Sequence, residues 1–527
     1  MTRKPGIFLE ISLKKIAVII PSYVGGIILI SLLTSCGGDV SGGEQTVISS
    51  GGPAPGARLF VNNVNGDDDN DGIDKPFKSL QYALDQLLPG DVLVVQNTGQ
   101  PYTRTVTEPI LDFNGEPILD VNGQPKTVTR FRLRTSGTVS KPITIEGDAT
   151  SPPIIDQGQH DFATGTNTAL GLVLDCVSNI IIRNLKIINV NEAGITSSIK
   201  GACETNNITL EGNTIDNVHG ENHVGGIRLM GVSDVLIKEN TIRNIRSRPA
   251  NQAHTFFTIG HKLSNVSIES NTFDGLDSGI VINAQALGTT TFQPEEPITN
   301  IKIYKNIFDQ VKAPVNFHNR TNDSSGVNNI KTGVFRSIDI SGNLFHDVEE
   351  TAILVELKES VYQSESFCLF NNNFIGTAST VIDISGVKNI EVFNNIFHPT
   401  VEGLNENILE TRSPEKPLLG NSITYSDYNL YFAPADHLRW KLGVDDTSSG
   451  EYVGIAQWRD AESDPQLNVK PEMSSQAATD PLFIDPLNDD FRLSEGSPAL
   501  LAGRDGVSIG SDYSLPLDFS SNCRAIF

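Results

Sequence analysis

Basic residues and cysteines are both scarce in this sequence. Only 39 Lys and Arg stand against 63 Asp and Glu among its 527 residues, so the formal net charge is −24. Such a chain lacks the positive surface on which nucleic acid or an anionic membrane binds, and we expect neither as a partner of its body. The five cysteines and nine histidines show no spacing typical of a zinc site.

Two of the cysteines, Cys176 and Cys203, are separated by about one repeat of the pattern described below. They would therefore lie on adjacent turns of a repeating fold. In an oxidising compartment they would form a disulfide. Two buried thiols are the alternative, and the sequence leaves both open.

The first residues have the composition of a secretory signal. Basic residues precede an apolar run, Ile16–Leu33, which ends in small residues. The segment Leu33-Thr34-Ser35-Cys36 resembles the lipobox of bacterial lipoproteins, which implies removal of residues 1–35 and lipidation of Cys36. A plain transmembrane anchor is the alternative, because about eighteen apolar-rich residues nearly span a bilayer. Residues 36–57, rich in Gly, Ser and Pro, are then a flexible tether. We expect a bacterial cell-envelope protein, on the outer membrane or cell surface, with the lipid as its only membrane contact.

One phrase recurs through the middle of the chain: an apolar run, an Asn, and then two or three apolar residues. Its eight copies are spaced by 22 to 37 residues. They begin at Asn184, Asn213, Asn240, Asn271, Asn306, Asn343, Asn373 and Asn395. A period of this size with short β-rich runs predicts a solenoid of stacked strands. We expect each Asn in a tight turn, bonded to the Asn of the next coil, which is a structural role.

These patterns predict an all-β fold, a right-handed parallel β-helix with one coil per period. From Ser79 to Leu88 the apolar residues have helical spacing, and Pro89-Gly90 ends the helix. Such a helix would cover the open end of the first coil. We place a cap and the first strands at 58–100, the β-helix at 101–400, and the last coils with an irregular carboxyl-terminal cap at 401–527.

The cap also carries the most family-specific residues. Gly66-Asp67 with Asn70-Asp71-Gly72, then Lys75–Gln81 and Pro89-Gly90-Asp91, resemble the opening of secreted β-helix proteins of the pectate lyase-like superfamily. The resemblance implies the right-handed parallel β-helix and an action on polysaccharide. It does not extend to the Lys-Ser…Arg pattern of the alginate lyase and chondroitinase B group, nor to the paired Asp motifs of polygalacturonases.

A calcium site is one hypothesis for the cap. Asp67, Asp69, Asp71 and Gly72 match the first half of an EF-hand-type loop, in which alternate oxygen ligands surround Ca²⁺. The Glu required at the twelfth position is replaced by Lys78. A solvated, Asp-rich turn is therefore the alternative.

A second strand in each period predicts a row of outward polar side chains, because strand residues alternate between faces. The candidate catalytic residues in or beside this row are His318, Arg228, Arg320, Lys358, Glu356 and Asp383. Uronate lyases of the resembled superfamily remove the proton at C5 and neutralise the adjacent carboxylate with Ca²⁺ or Arg. By that resemblance His318 would be the base, with Lys358 as an alternative base and Arg228 or Arg320 as the neutralising cation.

Two other functions remain open. Glu356 and Asp383 would be the carboxylate pair of a glycoside hydrolase. The row would otherwise be an ordinary solvated face of a non-catalytic module that binds glycan or another envelope component. The two tryptophans, Trp440 and Trp458, would pack in the cap or stack on sugar rings. We expect a monomer whose partner is a polysaccharide.

Overall fold

The computed structural model describes residues 56–110, 116–120, 122–158, 167–197, 205–220, 224–247, 253–259, 263–283, 298–318, 334–357, 364–376, 380–398, 406–412, 423–433, 436–443, 450–460 and 472–511. These residues belong to one compact unit, Gly51–Phe527. Residues 1–35, Cys36 and nearly all of the tether lie outside the described residues, so the predictions made for them stay predictions.

The chain forms a parallel β-helix, as the repeat predicts. Twelve strands pair in chain order to make one wall, which we call the first face. They are β1 (Arg58–Val61), β2 (Val92–Val95), β5 (Ile143–Glu146), β8 (Ile180–Arg183), β11 (Thr205–Glu211), β14 (Val232–Lys238), β17 (Ser264–Glu269), β19 (Ile298–Tyr304), β21 (Phe335–Ser341), β24 (Ser364–Phe370), β27 (Val387–Phe393) and β30 (Ile423–Asp427).

A 22-stranded sheet supplies the other two walls. The second face follows the turn at the recurring Asn. It contains β6 (Ile154–Asp156), β9 (Lys186–Asn191), β12 (Thr214–Gly220), β15 (Thr241–Ser247), β22 (Leu344–His346), β25 (Asn373–Ile375), β28 (Ile396–His398), β31 (Leu430–Tyr431) and β34 (Gln476–Ala477). Two long strands, β18 (Thr272–Asn283) and β20 (Ile307–His318), continue from the second face into the third.

The third face completes each coil. It contains β4 (Thr127–Leu133), β7 (Asn167–Leu174), β10 (Ala193–Ser197), β13 (Val224–Met230), β16 (Ala253–Ile259), β23 (Ile353–Glu356), β26 (Thr380–Ser385), β29 (Glu406–Arg412) and β32 (Leu438–Gly443). Two antiparallel strands flank it, β3 (Thr107–Pro109) on β4 and β33 (Gly450–Val453) on β32. Coils therefore continue past residue 400 to β32.

Like side chains stack on like inside the coils. On the second face six aromatic rings follow one another with centroids 4.8 to 5.0 Å apart. They belong to Phe273, Phe308, Phe345, Phe374, Phe397 and Tyr431. This separation equals the spacing of neighbouring strands, about 4.8 Å. The interior is thus a continuous apolar column built one coil at a time.

A buried Asn ladder marks the turn between the first and second faces. Each Asn except the last, Asn429, donates its backbone N–H and its Nδ2 to the Oδ1 of the next Asn, as Asn271 does to Asn306 at 3.0 Å. The members are Asn213, Asn240, Asn271, Asn306, Asn343, Asn372, Asn395 and Asn429, all 0 % exposed. The predicted structural role of the recurring Asn is confirmed.

Two of the eight predicted Asn positions are wrong by one residue. Asn372, not Asn373, belongs to the ladder, and Leu185 occupies the position expected for Asn184. The residue before each ladder position has a left-handed backbone, with φ of 57° at Asn184 and 54° at Asn371. Asn is among the few residues that adopt this conformation readily, so it is favoured at both positions and the sequence pattern does not separate them.

Both ends of the coil stack are covered. Helix α1 (Leu80–Asp85) buries Leu80, Ala83 and Leu84 at the amino-terminal end, as predicted, although it is shorter than the expected segment. Near the carboxyl-terminal end, helix α2 (Gly454–Asp460) carries Trp458, whose ring stacks on Trp440 at 5.6 Å. Both tryptophans are buried, at 1 % and 0 % exposure, so they pack in the core and do not present a sugar-stacking surface.

Residues 472–511 do more than close the last coil, and we call them the strap. The strap contains the hairpin β35 (Phe483–Asp485) and β36 (Asp490–Leu493) and runs back along earlier coils. Phe491 packs on Leu344 and Ile375. Ser511 donates its N–H to Asn373 Oδ1 at 2.9 Å. The strap therefore links coils that are far apart in sequence.

Cys176 and Cys368 are each disulfide-bonded. Cys203 lies outside the described residues, so its pairing with Cys176 stays a prediction. Among the helices of the described ranges, none is long and apolar enough to cross a membrane.

Candidate functional site

Two rows of outward positions cross the third face, because each strand pairs in parallel register with the next. The front row contains Thr196, Arg228, Val281, Asn316, Leu354, Asp383 and Glu410. The back row, two residues further along each strand, contains Met230, Asn283, His318, Glu356 and Ser385.

These rows contain a buried part and a part that is accessible to solvent. Thr196 and Val281 are only 2 % and 0 % exposed, although they occupy outward positions. Asn316, Leu354 and Asp383 are half-buried. The accessible part of the third face thus lies on β20, β23 and β26. We call Asn316, His318, Glu356 and Asp383 on these strands, together with the nearly buried Asn283 beside His318 on β18, the polar patch.

His318 and Glu356 form the centre of the polar patch. They are register partners on β20 and β23, so their Cα atoms are one strand spacing apart, about 4.8 Å. Both side chains leave the sheet on the same side and both are half-buried. Imidazole is the side chain that most often accepts a proton in general base catalysis, and a neighbouring carboxylate can orient it for that role.

Asp383 lies diagonally from Glu356. It is the register partner of Leu354 on the neighbouring strand, two residues before the position opposite Glu356. One strand spacing and two residues along a strand separate the two Cα atoms by about 8 Å. Glu410 follows Asp383 in the front row. The described charges of this region are therefore mainly negative.

Arg228 lies away from this centre. Three strand pairings separate its strand β13 from β20, on the order of 14 Å. The residue is 8 % exposed, and its guanidinium donates Nε–H to Thr196 Oγ1 at 3.5 Å and lies 3.6 Å from Glu192. Burial lowers the pKa of Arg228, and Glu192 opposes that shift. Arg228 is therefore not placed to neutralise a group bound at His318. Arg320 and Lys358 lie outside the described residues.

The sequence analysis missed Glu410. The coil pattern fades after Thr400 because the recurring phrase is absent there, yet β29 still continues the third face. The segment Ile408-Leu409-Glu410 gives no clear signal of this, because two buried apolar residues precede the carboxylate and the apolar and polar residues do not alternate.

The Asp-rich loop does not form a calcium cage. Asp71 Oδ1 accepts the backbone N–H groups of Ile73, Asp74 and Lys75 at 3.0 to 3.1 Å, and the hydrogen bonds from Lys75 and Ile73 lower its pKa. Asp67 Oδ1 accepts the N–H of Asp69. Within the described ranges no group of three or more His, Cys, Asp or Glu side chains is arranged to hold a metal ion. The carboxylates of Asp67 and Asp71 thus stabilise the turn, and the arrangement of Asp67, Asp69 and Asp71 does not fit the predicted Ca²⁺.

No protein-family model matches the sequence, and no curated protein matches it. Solved structures with a similar fold include pectate lyase Pel9A, at 13 % identity over 86 % of this chain and 96 % of that one, with a TM-score of 0.44. A family PL6 polysaccharide lyase from Pseudopedobacter saltans is 10 % identical over 82 % of this chain and 98 % of its own, with a TM-score of 0.34. The receptor-binding protein of bacteriophage Det7 is 11 % identical over 69 % of this chain and 66 % of its own, with a TM-score of 0.31. Likeness at this level concerns the fold alone.

Proposed function

We propose that the protein is a polysaccharide lyase that cleaves a uronate-containing glycan at the polar patch. The observation that carries this proposal is the register pairing of His318 with Glu356 on the accessible part of the third face. Parallel strands hold the two side chains on a rigid surface, which is the kind of support that positions catalytic groups well.

In this reaction His318 accepts the proton from C5 of the uronate, and Glu356 stabilises the imidazolium that results. The C4–O bond then breaks, a C4–C5 double bond forms, and the leaving oxygen takes a proton from water. The carboxylate next to C5 carries the developing charge and needs a cation. Arg320 and Lys358, two residues beyond His318 and Glu356, are our candidates.

Glycoside hydrolysis is the second candidate, supported by the diagonal Glu356–Asp383 pair. Inverting glycosidases hold their two carboxyl groups about 6.5–9.5 Å apart, which admits the attacking water. The Cα separation of about 8 Å is compatible with that spacing. In this case Glu356 and Asp383 divide the acid and base roles, and His318 only positions the sugar.

The proposed location is the bacterial cell envelope, with the protein anchored through Cys36. Two disulfide-bonded cysteines, Cys176 and Cys368, support an oxidising compartment outside the cytoplasm. The signal-like residues 1–35 support export.

The test is a panel of alginate, polygalacturonate, a glycosaminoglycan and a neutral glucan, incubated with the purified protein. Absorbance near 235 nm reports the C4–C5 double bond, and a reducing-end assay reports every cleavage. We expect both signals from one acidic polymer. His318→Gln should lower the rate at least about 100-fold, whereas His437→Gln, on the turn before β32, should leave it unchanged.

Other outcomes separate the alternatives. New reducing ends without absorbance near 235 nm, lost in Glu356→Gln and Asp383→Asn, would establish hydrolysis. Binding to one polymer without any new reducing end would contradict both enzymatic proposals and leave a glycan-binding module.

A further inference from the structure

Three arginines converge near the amino-terminal end of the third face. Arg130 and Arg132 are on β4, and Arg104 precedes β3. All three reach the carboxylate of Glu108. The guanidinium nitrogens of Arg104, Arg130 and Arg132 lie 2.9, 3.3 and 3.1 Å from its oxygens. Arg132 also pairs with Asp175.

Positive charge is in excess within this arginine cluster. Among the described residues, three guanidinium groups face two carboxylates, in a chain whose overall formal charge is −24. The side chains are 14 to 23 % exposed, so water does not fully screen their repulsion. Burial lowers the pKa of Arg130, and the neighbouring Arg132 lowers it further.

The cluster also contains hydrogen-bond donors without acceptors. The Nε atoms of Arg104, Arg130 and Arg132 are buried and meet no acceptor among the described residues. The same holds for Nε2 of Gln157, a residue only 5 % exposed, whose Oε1 accepts the N–H of Arg104 at 3.4 Å. The large majority of buried polar side-chain atoms have a hydrogen-bond partner, so four donors without one in the same region are unusual. An oxyanion would supply both the missing negative charge and the missing acceptors.

The position of the cluster connects it with the polar patch. Arg132 is in register with Val173 on β7, which continues through Thr196 and Arg228 along the front row. Six strand pairings separate β4 from β20, a distance of about 29 Å. The two regions thus lie on one side of the β-helix, at separate points along its axis.

We propose that Arg104, Arg130, Arg132 and Gln157 form a second, anion-binding site that takes a carboxylate or sulfate group of an acidic glycan. This rests on the proposed function in one respect, namely that a polysaccharide lies along the third face. The guanidinium forks match the planar carboxylate and the oxygens of sulfate. The site holds the chain by its charge several sugar units from the polar patch and takes no part in bond cleavage.

Arg130→Gln in the full-length protein tests the site, because Arg130 is the most exposed of the three arginines. Removing its charge also relieves repulsion with Arg132, so folding should be preserved. Arg134→Gln is the matched control: it removes the same charge from an exposed side chain just after β4 that pairs with Asp85, outside the cluster. Thermal unfolding without ligand checks that both variants are folded.

Binding is measured by calorimetry with oligogalacturonate, dextran sulfate and uncharged dextran, in proteins that also carry His318→Gln so that no polymer is cleaved. We expect Arg130→Gln to weaken binding of the carboxylate or the sulfate polymer at least about 5-fold, and Arg134→Gln less than about 2-fold. The polymer that responds identifies the group. Equal losses in both variants, equal binding of uncharged dextran, or stronger binding to phosphatidylglycerol vesicles than to either polymer would overturn the proposal.

A second readout does not involve long polymers. Monomeric galacturonate or sodium sulfate, at fixed ionic strength, should raise the melting temperature of the wild type and the Arg134→Gln variant but not that of Arg130→Gln, because a ligand that binds only the folded state stabilises it. The same rise in all three proteins would contradict the site. Both readouts measure binding and not cleavage. If the wild type cleaves no polymer, the proposed lyase activity is refuted, but the anion-binding site is still decided by the binding results alone.

Discussion

In the Asn ladder a single residue forms hydrogen bonds with three other residues. Asn306 accepts the backbone N–H and Nδ2 of Asn271, donates to Asn343 and donates to the carbonyl of Ile268 at 2.8 Å. We expect Asn306→Ala to lower the free energy of unfolding by about 2–4 kcal/mol, because it leaves several buried polar groups without partners. Urea unfolding measures this. Asn300→Gly is the control, since it removes an exposed amide at a left-handed position, and its effect should stay below about 1 kcal/mol. Equal effects would show that the ladder adds nothing beyond local turn geometry.

Glu472 ends the ladder with a buried carboxyl group. It accepts hydrogen bonds from Asn429 at 3.2 Å and Tyr431 at 2.9 Å, and also from Ser426 and Ser475. Burial raises its pKa above the ordinary 4.5, and these hydrogen bonds oppose the shift. The folded state therefore favours the protonated acid. Its stabilising effect is present below pH 4.5 and is lost as pH rises through the raised pKa. We expect Glu472→Gln to keep its melting temperature over that range while the wild type declines; parallel pH profiles would contradict this.

These residue-level features also show what the sequence reveals. The recurring Asn predicts the stacking of coils, because a hydrogen-bonded ladder requires an Asn at the equivalent position of each coil. The register inside the run Asn371-Asn372-Asn373 is not readable, since Asn suits both the left-handed position and the ladder position. A buried acid such as Glu472 leaves little local signal, because three of its four donors come from β30, β31 and the residues between them.

Among the elements, the strap differs most from expectation. Turn signals and scattered aromatics predict a cap, but they do not show which earlier coil a returning segment contacts. We expect Phe491→Ala to loosen the strap, because its side chain is 2 % exposed and a buried Phe typically contributes about 3–5 kcal/mol. Hydrogen exchange of β35 and β36 should quicken while that of β12 and β15 stays the same. Leu487→Ala, at a side chain that is 93 % exposed in the same hairpin, is the control and should change neither. Uniform quickening along the helix would mean that the strap is not a separate unit.

For the candidate site on the third face, the sequence likewise predicts which residues point outward but not which residues lie close together. Alternation of apolar and polar residues correctly places His318, Glu356 and Asp383 outward, since a strand has a strict period of two. Alternation alone does not give positions along the axis of the β-helix, and three strand pairings separate the strand of Arg228 from that of His318. The arginine cluster could not be predicted from the sequence for a further reason. Glu108 lies on an antiparallel strand outside the repeat, and this strand brings it to Arg104 and Arg130.

At the scale of the whole molecule, attachment to the membrane remains to be tested. Two acyl chains on Cys36 would anchor the protein stably, at about 0.8 kcal/mol for each buried CH₂ group. An uncleaved Ile16–Leu33 segment would anchor it without any lipid. Cys36→Ser separates these mechanisms, because it abolishes lipidation and leaves the apolar segment unchanged. In cells that process lipoproteins, we expect the wild type and the tether control Ser41→Ala in the membrane fraction, whereas Cys36→Ser should lose its acyl label and most of its retention after a high-salt wash. Full retention of Cys36→Ser in the washed membranes would mean that the apolar segment itself is the anchor.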